Sequence, residues 1–457
     1  MNLLIKDKCF YKKMAVIAIP ISLQSMITIG VNMTDTVMVG KLGETSLSAT
    51  ALANQFVNIY QICCMGIAMG ASVLTSRFWG MQDITSLKKT ITLMLRLCIV
   101  LAVLFMLPTI LIPQLLMRMY TNDSAVIAQG VQYFKWMVYC YFLQGMTMTC
   151  TIVLRSVGQV NFPLFTSIGS FFVNILFNYM FIFGKLGVPR MEVEGAGVGT
   201  LIARVFEFSL ICGYFLFVDR KIGYRLKDLR MKCNSLIKDY VSISIPVFVS
   251  DSLLALGTSA VAMVMGRVGT GFVSANSITV VTQQLTTVII QGICHASCIM
   301  TGHTLGHGER EKAQQQAWTF LILGLVVGIL GGGLIKVLSR PIIGLYNITP
   351  ETAQIAGELM DAIAFIVIFQ SMNSILTKGV LRGGGDTKFL MVADIIFLWA
   401  ASLPLGILAG LVWHLDAFWI YVFLKIDQIC KSIWCVFRLR SGKWIKTFSK
   451  EKMNHAQ

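Results

Sequence analysis

From Met14 to Thr34 no side chain is charged, and Asp35 then stands alone. Similar apolar runs recur along the whole chain, separated by short breaks that carry Lys, Arg, Gly or Pro. A helix needs about 20 apolar residues to cross a bilayer, whereas barrel strands alternate over segments of about ten. The runs are too long and too continuous for strands. Twelve helices are expected, over about residues 14–39, 46–76, 90–117, 126–154, 162–184, 195–218, 239–265, 272–303, 314–339, 353–380, 388–413 and 416–438. Composition agrees. Only 13% of the 457 residues are charged and 56% are hydrophobic, against about 25% charged in an ordinary soluble domain. Disorder, collagen, coiled coil and a secreted disulfide scaffold are excluded, and an all-α membrane protein remains.

The net charge of +16 suggests nucleic acid until its distribution is considered. With the N-terminus (Lys6, Lys8, Lys12, Lys13) placed in the cytoplasm, twenty-six Lys and Arg fall on the cytoplasmic side and seven outside. That bias predicts that both termini are cytoplasmic, with the basic residues beside anionic membrane lipid, and no nucleic-acid partner. No small-residue cleavage site follows a short apolar core, so the first run reads as a retained helix. Cysteines are scattered through apolar segments, without a disulfide framework. Cys294 with Cys298 and His303 with His307 share helical faces, but no second ligand cluster accompanies them and no metal site is expected.

The two halves repeat. At an offset of 226, Pro20 falls on Pro246, Gly40 on Gly266, Gly43 on Gly269, Gly66 on Gly292, Thr75 on Thr301 and Gly80 on Gly306. One residue further, Arg155 falls on Arg382 and Gly158 on Gly385. Six helices per half give both halves the same orientation, a parallel repeat of the kind found in transporters. The expected organisation is an N-lobe over 1–220, a cytoplasmic linker over 221–238, a C-lobe over 239–440 and a cytoplasmic tail over 441–457. Two matched bundles that rock against each other predict transport by alternating access.

No nucleotide-binding motif, catalytic triad or metalloprotease helix occurs, so no enzyme is expected and no cofactor is needed. The driving energy is then an ion gradient, which directs attention to charge inside the spans. Asp35, Glu207, Asp251, Asp361 and Asp394 lie there, at positions costly for an ionised group. Asn174 and Asn178 sit one turn apart, on one helix face. Carboxylate and amide oxygens suit a hard cation, and a carboxylate alone can take up a proton. Each residue has a plainer alternative: Asp35 and the two amides as interhelical hydrogen bonds, and Glu207 as the partner of Arg204.

The run Ile19-Pro20, then Asp35-Thr36-Val37-Met38-Val39-Gly40, Leu42-Gly43 and Ala49-Thr50-Ala51, resembles the opening helices of the multidrug and toxic compound extrusion (MATE) family. Ile245-Pro246, Gly266-Arg267-Val268-Gly269 and Ala275-Asn276 resemble its second half. Leu381-Arg382-Gly383-Gly384-Gly385-Asp386-Thr387 is similar to the family's loop after helix 10. The resemblance covers essentially the whole chain. It implies two pseudo-symmetric six-helix bundles in a bacterial cytoplasmic membrane. It also implies a monomeric antiporter that exports amphipathic organic cations in exchange for sodium ions or protons. Asp35, Asn174, Asn178 and Thr200 then stand at the family's N-lobe cation-coupling positions. In the C-lobe the chain departs from the pattern. Asn373 stands where some members carry an Asp, and Asp251 lies one turn before their Glu. Asp251, Gln283, Asn373, Asp394 and Glu207 are the remaining substrate or C-lobe candidates.

The substrate is expected between the lobes, balanced by Asp35 and Asp251 and held by Phe56, Tyr60, Met263 and Met265 where these point inward. The alternative is a flippase for lipid-linked saccharide or lipid. Such a protein is expected to gather basic residues in its cleft. Within the spans Arg96, Lys135, Arg204, Lys425 and Lys431 suggest no central cluster.

Overall fold

The computed structural model describes residues 4–344 and 348–447, so the tail expected over 441–457 is seen only to residue 447. Among the described residues every regular element is helical. Lipid offers no partner to a backbone N–H or C=O, and a helix satisfies both within one segment. Eleven helices are long and apolar enough to span. They are α1 (Lys8–Gly40), α2 (Glu44–Gly80), α3 (Ile84–Leu111), α4 (Ser124–Ser156), α5 (Asn161–Phe183) and α6 (Glu192–Val218) in the first half. The second half supplies α7 (Asn234–Val268), α8 (Thr270–Gly306), α9 (Arg310–Ile343), α10 (Pro350–Leu381) and α11 (Thr387–Val412). The twelfth, α12, is broken at Lys425 into Ala417–Leu424 and Ile426–Arg440.

Local chemistry sets the ends. Asp83 caps α3, its carboxylate accepting from Ser86 N at 3.0 Å and from Ser86 Oγ at 2.6 Å. Asp123 caps α4 through Ala125 N, and Thr349 precedes Pro350 at the first position of α10. Gly184 closes α5 in the left-handed conformation. The break in α12 releases carbonyls, and Ser402 of α11 answers them. Its Oγ donates to Leu424 O at 2.5 Å and lies 3.4 Å from Phe423 O.

The chain forms two compact units. One holds Leu23–Thr75 and Asp83–Tyr240; the other holds the described residues up to Ser22, Ser76–Gln82 and those from Val241 on. The units therefore depart from the chain halves at two places, and α1 and α2 each contribute to both. Pro20 interrupts the hydrogen-bond ladder of α1 just before its division. Glycines of α8 explain why these pieces pack with the second half. A Cβ at Gly292 would overlap Ser22 Oγ, one at Gly302 would overlap Ser76 Oγ, and one at Gly306 would overlap Arg77 O. Backbones this close require small residues.

The repeat seen in the sequence has a counterpart in space. In the first unit Arg155, in the last turn of α4, donates to Gln24 Oε1 of α1. In the second, Arg382 after α10 pairs with Asp251 of α7 at 3.0 Å. Both partners are displaced by 227 residues. The linker is held against α3 within the first unit. Lys88 Nζ pairs with Asp228 at 2.9 Å and donates to Gly223 O at 2.6 Å, and Arg96 donates to Leu229 O at 2.6 Å.

Candidate functional site

The first unit encloses a polar cavity of about 370 Å³ within its helices. α1 supplies Asp35, α5 supplies Asn174, and α6 supplies Thr200, Arg204 and Glu207. Asn178 stands behind Asp35, and its Nδ2 donates to Asp35 Oδ1 at 2.6 Å and to Asn174 Oδ1 at 3.3 Å. Asn174 and Asn178 are buried and Asp35 is half-buried at the cavity wall. The one-turn spacing of the amides thus brings a carboxylate and two amides from two helices together. Thr200 lines the same cavity from α6.

Gly199 makes this packing possible. A Cβ there would overlap Asn178 Oδ1 and meet Asn178 N at 2.8 Å. Asn178 Oδ1 is buried and accepts no hydrogen bond from the described residues. Glu207 pairs with Arg204 at 2.8 Å on the same helix. The carboxylates of Asp35 and Glu207 against one guanidinium leave the cavity with a formal charge of −1, which one monovalent cation balances. Gly199 escaped notice because a helical glycine has an ordinary local explanation, and Arg204 was read as the partner of Glu207, which it is, but not as part of the cavity wall.

Phe56 and Tyr60, expected beside a substrate, point elsewhere. Phe56 packs with Phe105, Phe134 and Tyr141, and Tyr60 is fully buried with its hydroxyl donating to Tyr141 O. They form the aromatic core of α2, α3 and α4. Met265 is buried as well, while Met263 is exposed.

The second unit encloses a smaller cavity, about 200 Å³, lined by Asn373, Asp394 and Asp427 together with Lys378, Arg382, Lys425 and Lys431. Lys431 Nζ lies 3.0 Å from Asp394 Oδ1 and 2.9 Å from Asp427 Oδ2. Ser250 Oγ also donates to Asp394. Asn373 Nδ2 donates to Gln428 Oε1 at 2.7 Å. Gln283 lies one step away, donating to Gln370 Oε1 at 3.0 Å and accepting from Tyr421 OH at 3.4 Å. Asp361 pairs with Lys336 in an exposed position.

Two expectations are corrected here. Asp251 does not offer a free carboxylate to a cation, since Arg382 neutralises it. Basic side chains do cluster, because α10 and α12 bring distant lysines to one wall. The offset of 227 held the signal: it places Arg204 on Lys431 and Thr200 on Asp427.

The MatE family model matches residues 20–180 and 246–429. The chain is 24% identical over 441 residues to the probable multidrug resistance protein NorM of Thermotoga maritima, covering 95% of this chain and 93% of that one. It is 24% identical to the uncharacterized transporter YisQ of Bacillus subtilis, covering 90% of each. Among solved structures, the Vibrio cholerae MATE transporter VcmN matches with a TM-score of 0.86 at 16% identity, covering 95% of this chain and 97% of that one. A MOP superfamily transporter from Pyrococcus furiosus matches at 0.83 and 19%, again covering 95% and 97%. With the family model spanning both halves and the same fold in solved relatives, the chain belongs to the MATE family of membrane transporters, which are not enzymes.

Proposed function

We propose that this transporter is a secondary active antiporter that exports amphipathic organic cations in exchange for sodium ions or protons. Its site is the cavity of the first unit, and the observation that carries the reading is the Asp35 carboxylate held by Asn178 at the cavity wall. An ionised Asp in a span is costly, by about 2.5–3.5 kcal/mol on the insertion scale. A bound cation or a proton removes that cost. Asp35, Asn174 and Thr200 supply oxygens suited to a hard monovalent ion, and the carboxylate alone accepts a proton.

Exchange follows from competition. A cavity with one excess negative charge balances one cation at a time, so ion and drug displace each other. Coupling requires that each ligand favours a different state of the protein. The proposed moving parts are the lobes 1–220 and 239–440, joined by a linker over 221–238. The Lys and Arg bias supports a cytoplasmic membrane location with both termini inside. NorM relatives, named as probable multidrug resistance proteins, support small-molecule export. The test is gradient-driven efflux of a cationic dye from vesicles. Asp35→Asn should lose efflux and remain folded; wild-type rates under both sodium and proton gradients would overturn the assignment.

A further inference from the structure

The second cavity carries the opposite charge. Lys378, Arg382, Lys425 and Lys431 line it together with Asp394 and Asp427. Both aspartates are engaged by Lys431, at 3.0 and 2.9 Å, and Arg382 takes Asp251 at 3.0 Å. Among the described residues neither Lys378 nor Lys425 has a carboxylate within ion-pairing distance. Arg382 Nε is a buried donor that meets no acceptor among those residues. Four basic groups against three acids, Asp251 included, leave one positive charge in excess.

Lys425 is the informative member. It sits at the break of α12, with φ −121° and ψ 16°, half-buried on the cavity wall. Ser402 satisfies the carbonyls the break exposes, so the interruption is built into the packing. An ionised lysine partly withdrawn from solvent needs a counter-charge or water. Its neighbours Asp394 and Asp427 already share Lys431. The corresponding cavity of the first unit has Thr200 in place of Asp427 and Ser167 in place of Asp394, yet its sum is negative because of Asp35 and Glu207. The repeat has therefore diverged to opposite polarity. An organic cation gains nothing from the second cavity.

We infer that the cavity of the second unit binds a small organic anion, with Lys425 and Lys378 receiving its oxyanion head and Arg382 closing the polar wall. A carboxylate or phosphate supplies the counter-charge that the protein lacks there, and charge-assisted hydrogen bonds from lysine favour it over an uncharged isostere. This site is separate from ion coupling at Asp35 and does not depend on it.

The test uses the full chain in phosphatidylcholine nanodiscs, with benzoate as probe and benzamide as its uncharged match, followed by calorimetric titration. Wild type should bind benzoate saturably and benzamide not at all. Lys425→Met should weaken benzoate at least tenfold and Lys425→Arg should restore most of it, with circular dichroism melts confirming folding. If Lys425→Met does not fold, Lys378→Met carries the same expectation. In phosphatidylglycerol discs, loss of benzoate binding assigns the site to a lipid headgroup, and unchanged binding assigns it to a soluble acid. The inference is overturned if wild type shows no saturable benzoate binding in phosphatidylcholine, if benzamide binds as tightly, or if the folded lysine variants bind benzoate as wild type does.

Discussion

Asp251 and Arg382 are bound at 3.0 Å across the second unit, at the place where Gln24 and Arg155 are bound in the first. The shared offset makes both pairs the same tie between the first helix of a half and the end of its fourth. Asp251 is thus a structural acid. Arg382 is nearly fully buried, with 5% of its side chain exposed. Asp251→Ala strands that charge and should cost about 3–5 kcal/mol. Asp251→Gln copies the pair of the first half and should recover much of the loss. Thermal unfolding in detergent measures both; equal destabilisation by Ala and Gln would contradict the symmetry argument.

Gly199 holds the Asn178 position open. Gly199→Ala drives a methyl into the amide, and overpacking of this kind costs about 1–3 kcal/mol. Dye efflux should fall severalfold as Asn178 is pushed from Asp35, while the protein stays folded. A wild-type efflux rate in Gly199→Ala would show that the Asn178–Asp35 bond is dispensable.

Trp444 is fully buried beyond the end of α12, and its Nε1 donates to Gln314 Oε1 at 2.7 Å. Gly384 leaves room for its ring, and Arg77 Nη1 donates to Lys446 O at 2.6 Å. Trp444→Ala should cost about 3–5 kcal/mol, read as a lower melting temperature by circular dichroism. An unchanged melt would mean that this segment is not part of the folded core.

The linker has a pH signature. Burial opposes the charge on Asp228, but Lys88 and the Arg225 N–H outweigh it and hold its carboxyl below the usual carboxylate range. A depressed value means stabilisation that is complete above the unfolded pKa and lost as pH falls through the folded one. Pepsin cleavage within 219–238 should therefore accelerate as pH falls below about 4. In Asp228→Asn it should be fast at about pH 4 already. Identical pH profiles would rule out this clip.

The helices were legible because their determinant is local: a long uncharged run between charged or Gly/Pro breaks. Asn174 and Asn178 were legible as a pair from their one-turn spacing and Asp35 as a lone acid, whereas their grouping, seen in the bond of Asn178 to Asp35, was an expectation from the family resemblance. Side-chain direction was legible only in part. α1 and α2 do carry polar residues at helical spacing, Thr28, Asn32, Asp35 and Thr36 on one and Thr50, Asn54, Asn58 and Gln61 on the other, and these line the first cavity, whereas an aromatic such as Tyr60 gives no such sign and proved to be core. Nor could spacing alone show that Lys425 and Lys378, on different helices, share a wall. The division of α1 after Ser22 depends on how closely Gly292 lets another backbone approach, which a glycine in a sequence does not announce.

Equilibrium binding of a cationic dye to the purified protein, titrated against sodium and against pH, tests the coupling most directly. In wild type the dye should bind more weakly as sodium rises or as pH falls, and in Asp35→Asn this ion dependence should vanish. Dye affinity in wild type that is indifferent to both ions would contradict the account.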